Sequence, residues 1–383
     1  MSALYFKRIS NAFEGKCLKI IDLTACFCYN KTMEKEKLRQ IVAASGADAL
    51  FLEQDFLRRY VTGFYSTDGY VVADKKGCSF FADPRYFEAA SAQLAGSFIR
   101  VEPGAFDAAV ERAQGAKTLG VPFPFISRSA CARLEERGFI LTDCMPALKE
   151  AMKVKTADEL EKISRACEIA EDGLLATLPR LQEGMTEREV AAVLEYEMRM
   201  RGADGTSFET IVAFGAGSSV PHHETGDTKL RFGDVVLIDF GCKVEGYCSD
   251  CTRTFLFGDD KNHEQFKHHY ALVLRAHELV KEKLVSGMTG READAIARDF
   301  FREAGADKFF THSLGHGIGL QIHEYPLLSP RGEEVLSDGM VFSDEPGLYF
   351  EGEYGIRIED SICMKNGKAV SFMNKLPHEL IIL

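Results

Sequence analysis

The chain has 383 residues and a formal net charge of −12, with 46% hydrophobic and 27% charged residues. Those proportions suit a globular protein, and the length leaves room for two domains. The acidic balance argues against nucleic acid or an anionic membrane surface as the main partner and suits bound cations. No apolar run reaches the roughly 20 residues that a membrane helix needs, and no secretory signal is expected at the N-terminus. The eleven cysteines, without framework spacing, read as reduced thiols of a cytoplasmic protein. Cys26-Phe27-Cys28 has no second pair and no nearby histidine, so it reads as incidental thiols rather than a soft-metal site.

Residues 1–32 lack clear periodicity and read as an N-terminal extension of uncertain structure. From Met33 the pattern alternates. A helix is expected over 33–45, ending near Gly46, then a buried strand Ala49–Leu52 and a further apolar run, Tyr60–Phe64. Strands at Gly69–Ala73 and Cys78–Ala82 flank Asp74-Lys75-Lys76-Gly77, as in a hairpin. A helix at 84–95, a strand Lys117–Val121 and a helix at 127–137 complete an α/β domain over 33–150 without a metal-ligand cluster.

A linker around Met145–Lys155 is expected to lead into a second domain, 151–383. Its first helix begins after Thr156, an N-cap partnered by Glu159, and the second runs over Thr186–Arg201. Strands follow near Thr210–Phe214, Val235–Phe240 and Thr252–Phe257. Helices at 262–285 and 290–304, then strands at Met340–Tyr349 and Gly355–Met364, repeat the pattern. Two long helices followed by antiparallel strands, twice over, suggest a duplicated unit, although no sequence self-similarity proves it.

One stretch, His312-Ser313-Leu314-Gly315-His316-Gly317-Ile318-Gly319-Leu320-Gln321-Ile322-His323-Glu324, carries three histidines around alternating glycines. Each glycine would cost a helix about 1 kcal/mol relative to alanine. Extended or looping backbone that passes close to something is therefore expected. Asp239, near the end of an apolar strand, and Asp250 would face each other across a hairpin. Buried carboxylates are costly unless paired or metal-bound, though either aspartate alone could simply cap a turn. On the strand Gly355–Ile362, Arg357 and Glu359 share one face while Ile356, Ile358 and Asp360 share the other. Arg357 could orient that carboxylate, bind a substrate carbonyl, or form a purely structural pair. With His316 and Glu345 the set is oxygen-rich and suits Mn²⁺, Co²⁺, Fe²⁺ or Zn²⁺. Two such ions activate water and polarise a carbonyl, enough for amide hydrolysis without a serine or cysteine nucleophile.

These residues resemble those of the creatinase/aminopeptidase P/prolidase branch of the M24 metallopeptidases, throughout 150–383 and more loosely before it. The spacings of 11 from Asp239 to Asp250, 7 from His316 to His323 and 14 from Glu345 to Glu359 fit, and 312–324 resembles the family signature at every position. The resemblance implies an α+β architecture, a pita-bread catalytic domain preceded by a smaller α/β creatinase-like domain. It implies two metals held by Asp239, Asp250, His316, Glu345 and Glu359. Asp250 and Glu359 would bridge, Asp239 would complete one metal, and His316 with Glu345 the other. Glu345 would also shuttle the proton. His222 would bind the scissile peptide, His323 and His312 would surround the substrate, and Arg357 would stand beside the last ligand. Without the resemblance, each histidine would read as a hydrogen-bonded core imidazole.

His223 is assigned to solvent or a supporting role, and His263, His268, His269 and His277 to a helix surface. Phe208 and Ile211 could line a pocket for a proline ring or be plain core. Methionine aminopeptidases usually lack the N-terminal domain and tend to have an aromatic residue where Ile322 stands. Creatinases and non-catalytic relatives lose the metal set. The reading is therefore an Xaa-Pro aminopeptidase, Mn²⁺-dependent in the first instance, acting on peptides with proline second. The alternatives are an Xaa-Pro dipeptidase or a non-catalytic peptide-binding module. Some prolidases carry an arginine where this chain has Leu327, so Arg331 or Arg357 would have to hold a substrate carboxylate. Relatives commonly dimerise, which implies a homodimer.

Overall fold

The computed structural model describes residues 33–259 and 263–383; the expected extension over 1–32 lies outside them. In the first half, short apolar runs make strands and amphipathic segments make helices. In order these are α1 (Lys35–Ala44), β1 (Ala49–Leu52), α2 (Asp55–Thr62), β2 (Gly69–Asp74), β3 (Cys78–Ala82), α3 (Pro84–Gln93), β4 (Ile99–Pro103), α4 (Phe106–Ala113), β5 (Thr118–Val121), α5 (Arg128–Glu136), β6 (Ile140–Asp143) and α6 (Met145–Lys153). The strands form one sheet, ordered β4-β3-β2-β1-β5-β6. Its β1-β2-β3 pairings are antiparallel and the rest parallel. Every residue of β1 is buried, as its unbroken apolar run requires between two helical layers.

Two segments differ from the sequence expectation. The start of the Tyr60–Phe64 run is the last turn of α2, closed by Gly63 at a left-handed φ of 69°. The linker around Met145–Lys155 is mostly α6, because Met145, Ala147, Leu148 and Met152 make a buried stripe. Pro146 sits in its first turn, where a missing N–H costs nothing.

The second half contains α7 (Ala157–Thr177), α8 (Glu187–Met200), β7 (Ile211–Phe214), β8 (Asp234–Phe240), β9 (Cys251–Phe257), α9 (Glu264–Lys283), α10 (Gly290–Glu303), β10 (Gly315–Gly317), β11 (Glu324–Leu328), β12 (Val341–Asp344), β13 (Gly347–Phe350), β14 (Tyr354–Arg357), β15 (Asp360–Lys365) and β16 (Lys368–Ser371). Helices α7, α8 and α10 each start at a reciprocal capping box, Thr156 with Glu159, Thr186 with Glu189 and Thr289 with Glu292. One antiparallel sheet runs β9-β8-β7, another β11-β10-β12-β15-β16. They meet where the Glu359 N–H donates to the Thr252 carbonyl at 3.0 Å. The two long strands expected after residue 340 are each broken, at Glu345-Pro346 and at Ile358-Glu359. Proline cannot donate to a ladder, and the breaks admit the β13–β14 hairpin.

The duplicated unit is visible in the backbone. The sequence Gly-Met-Thr-x-Arg-Glu occurs at 184–189 and again at 287–292, and its hydrogen bonds repeat. Glu187 donates to Thr228 and Gly290 to Glu334, Arg188 to Gly226 and Arg291 to Gly332, and Leu230 to Met185 as Leu336 does to Met288. One buried apolar cluster runs from Leu38 and Leu148 through Ile163 and Leu194 to Ile238. A second lies within the later half around Val273, Phe301, Phe342 and Ile356. No described helix is long and apolar enough to cross a membrane, and the described cysteines are all free thiols.

Candidate active site

The β8–β9 register sets Asp239 opposite Thr252, which brings Asp250, one residue before β9, alongside it. Glu359 reaches the same spot from the neighbouring sheet, its Oε2 accepting from Thr252 Oγ1 at 2.6 Å. Oxygens of Asp239, Asp250 and Glu359 lie within 4.8 Å of one another. His316 enters from β10, with Nε2 3.6 Å from Asp250 Oδ2 and 3.4 Å from Glu345 Oε1. Its Nδ1 bonds the Gly317 carbonyl at 3.2 Å. Nε2 is thereby left as a bare lone pair aimed at two acids. The glycines around it permit the close approach expected of them, since a Cβ on Gly315 would lie 2.0 Å from Ser343 O.

Charge explains what this cluster wants. Burial, then the charges of Glu359 and Asp239, push the Asp250 carboxyl well above its usual range. Burial, then Glu345 and Asp239, do the same to Glu359. Glu345 is pushed up to about 8, chiefly by burial, and burial pushes His316 down to about 4. One guanidinium, Arg357, reaches in, its Nη2 donating to Asp239 Oδ2 at 2.6 Å and its Nε to Thr252 Oγ1 at 2.9 Å. Burial alone would lower Arg357, but the Tyr349 oxygen and the charges of Asp239 and Glu359 outweigh it and hold the group well above its ordinary value. Asp239 Oδ1 is buried with no hydrogen-bond partner among the described residues. Four carboxylates, one with an unsatisfied oxygen, and an imidazole lone pair form a donor set that fits divalent cations, and a single guanidinium leaves most of their charge unbalanced.

The cluster floors a cleft of about 840 Å³, whose walls include His222, His312, His323, Phe208, Ile211 and Leu327. His312 donates from Nδ1 to Ser313 O at 2.8 Å and accepts the Tyr349 hydroxyl on Nε2 at 3.0 Å. Arg357 Nη1 donates to the same hydroxyl at 2.6 Å and reaches Pro221 O at 3.4 Å. Burial drives His312 down to about 3, so this ring is neutral. His323 packs edge-on against His316 with ring centroids 4.3 Å apart. Its loop is tied down by Glu324, which accepts the Gln321 N–H at 3.0 Å and pairs with buried Lys155 at 2.9 Å. A Cβ on Gly319 would lie 2.4 Å from Glu324 Oε2, so glycine makes room for the carboxylate.

Of the four histidines expected on a helix surface, three are engaged in the interior or at its edge. His268 is exposed, but His263 bonds Gly233 O at 2.9 Å and His269 stacks on Phe350 at 4.1 Å. His277 is wholly buried, with Nδ1 3.0 Å from Asp344 Oδ2 and Nε2 3.5 Å from Asp360 Oδ2. Neither contact is aligned as a hydrogen bond, so the attraction is between charges. Burial would lower His277, yet the two aspartates hold it up to about 9. Asp360 also takes Arg253 Nη2 at 2.8 Å and Ser371 Oγ at 2.7 Å. The sequence did hold a signal for this network. An aspartate stands beside each glutamate in Asp344-Glu345 and Glu359-Asp360, and strand alternation turns it to the opposite face.

Three more residues escaped the sequence reading. Arg188 lines the cleft and pairs with Asp227 at 3.3 Å, Tyr349 holds His312, and Glu187 binds His223. Of the arginines weighed for a substrate carboxylate, Arg357 lines the cleft, whereas Arg331 is not among the residues of its walls.

Paired helices and two antiparallel sheets around an acidic floor that fits divalent cations are the architecture expected of a metal-dependent hydrolase. Residues 161–366 match metallopeptidase family M24, and residues 35–152 match the creatinase/prolidase N-terminal domain. The Xaa-Pro dipeptidase of Pyrococcus furiosus is 34% identical over 349 residues, covering 90% of this chain and 99% of that protein. An Xaa-Pro dipeptidase structure from Bacillus anthracis superposes with a TM-score of 0.85 at 37% identity, covering 91% of this chain and 98% of its own. An X-Pro aminopeptidase structure from Thermotoga maritima gives 0.84 at 34% identity, covering 91% and 99%. This chain belongs to metallopeptidase family M24, in the branch that carries a creatinase-like N-terminal domain ahead of a pita-bread catalytic domain.

Proposed function

We propose that the protein hydrolyses the bond between an N-terminal residue and a following proline, using two divalent cations held by Asp239, Asp250, His316, Glu345 and Glu359. The observation that carries this is the convergence of four carboxylates and a neutral imidazole on the floor of one cleft. Asp239, Asp250 and Glu359 would hold the cations from one side of the cluster, and His316 with Glu345 from the other. When bound, the cations supply Lewis acidity and water activation at neutral pH. Glu345 takes a proton from the attacking water and hands it to the proline nitrogen as the C–N bond breaks. His222 and His323 orient the peptide, His312 acts through Tyr349 and Arg357, and Phe208 with Ile211 receives the proline ring.

Relatives named dipeptidase and aminopeptidase match almost equally, so the aminopeptidase expectation has no better support than the dipeptidase one. Dipeptides are the substrates we favour, with Arg188 as the cation for their carboxylate, because Arg357 is buried against Asp239 and Tyr349 whereas the Arg188–Asp227 pair lies in solvent and is weak. The cleft volume favours longer peptides as the second reading. Assaying Ala-Pro against Ala-Pro-Ala with Mn²⁺, Co²⁺ and Zn²⁺ separates the two. If protein holding two metal equivalents cleaves neither, it is a binding module and the hydrolase reading fails. Mn²⁺ as resident metal, a homodimer and a cytoplasmic setting belong to the same proposal, tested by metal analysis, light scattering and fractionation.

A further inference from the structure

One wall of the cleft is built by Phe208–Ile211 and Pro221–Thr225, and a single buried side chain ties that segment together. Glu187 is the first residue of α8 and has no exposed surface. Its Oε1 accepts the Phe214 N–H at 3.0 Å, and its Oε2 accepts the Gly226 N–H at 2.9 Å. The same Oε2 meets His223 Nε2 at 3.0 Å. Phe214 lies before the His222 loop, Gly226 after it, and His223 beside His222. Three donors satisfy a carboxylate that would otherwise be costly in a dry interior, and the positive end of α8 favours its charge. Gly217 lets the imidazole reach the acid, since a Cβ there would sit 3.1 Å from His223 Cε1.

The repeated half shows that the fold does not need this acid. Its counterpart is Gly290, where a Cβ would lie 2.0 Å from Leu327 O, and the same backbone bonds form by direct packing. In the first half a glutamate stands at this position, and its carboxylate takes the Phe214 and Gly226 N–H groups.

We infer that Glu187, acting partly through His223, is the positioning residue that sets the substrate-facing wall carrying His222, and so governs peptide binding rather than metal loading or bond cleavage. The inference rests on the proposed role of His222 in meeting the peptide. The test uses Glu187→Gln and His223→Ala in the full chain, each loaded with Mn²⁺. For Glu187→Gln, KM for Ala-Pro should rise about tenfold, the scale of losing a charge-assisted hydrogen bond. For His223→Ala, with both backbone bonds left, the rise should be smaller. Both variants should keep kcat and two metal equivalents.

Hydrogen exchange supplies a readout independent of the reaction. Amides of 208–226 should exchange faster in both variants, while those of β8 and β9 stay protected. Unchanged exchange in that segment overturns the inference, as does a fall in kcat or metal content at constant KM. If the wild-type chain cleaves no Xaa-Pro peptide, the proposed function fails but the exchange result still decides this point. If Glu187→Gln does not fold, His223→Ala gives the same readings, because its ring lies partly in solvent at the edge of the loop.

Discussion

Glu359 accepts from Thr252 with its side chain and donates to it through its main chain, so its carboxylate has little freedom to leave the cluster. Its replacement by alanine should abolish metal-dependent turnover, read as hydrolysis after chelation and repletion with Mn²⁺. Glu345→Gln should cost on the order of 10²–10⁴-fold in kcat, the usual worth of a general acid–base group, beyond any loss of metal. Full activity in either repleted variant would rule out the assignment. His277 makes a different kind of prediction. Its value near 9 stands above that of an unfolded histidine, so its pairing with Asp344 and Asp360 stabilises the fold below about pH 6.5, a contribution lost as pH rises through about 9. Melting temperatures of the chelated protein should fall over that window, and His277→Gln should flatten the fall. Parallel curves for the two proteins would show that the pair contributes nothing.

At the scale of elements, the loop carrying His323 depends on a salt bridge closed across the start of α7. Lys155 and Glu324 are both buried, so removing one charge strands the other. Lys155→Met should cost about 3–5 kcal/mol, measured by denaturant unfolding. The double variant with Glu324→Gln should recover part of that cost, as coupled neighbours do. A double-variant cost equal to the sum of the two single-variant costs would mean that the two side chains do not interact. Most helices were legible because their signals are local, as in the capping boxes at Thr156 and Thr186 and the buried stripe of α8. β4 and β6 escaped the sequence reading because edge strands are only partly buried, as their mixed burial shows. β4 can even end on Pro103 without losing a needed donor. α6 stands where a linker is expected from sequence, and Pro146 fits its first turn, where a missing N–H costs nothing.

Across the whole molecule, the proposed ligands divide between the two repeats, Asp239 and Asp250 in one and His316, Glu345 and Glu359 in the other. Cations bound there join the two sheets at the point where Thr252 and Glu359 already touch. Chelation should therefore lower the melting temperature, and Mn²⁺ at a thousandfold excess over its Kd should restore about 4 kcal/mol. A melting temperature indifferent to chelator would contradict two-metal binding.

The chain by itself determined the types and order of the site residues, the glycines that let His316 approach the Ser343 backbone, and the alternation that sets Arg357 and Glu359 on one face. Each depends on residue chemistry or on neighbours a few positions apart, which a sequence displays directly. Only the tertiary structure decided that Arg357 serves Asp239, that His277 is locked between two aspartates, and that Glu187 holds both ends of the His222 loop. Those facts depend on burial and on partners in most cases dozens to over a hundred positions away, and a charge acquires its energetic meaning from what surrounds it in space rather than from what adjoins it along the backbone.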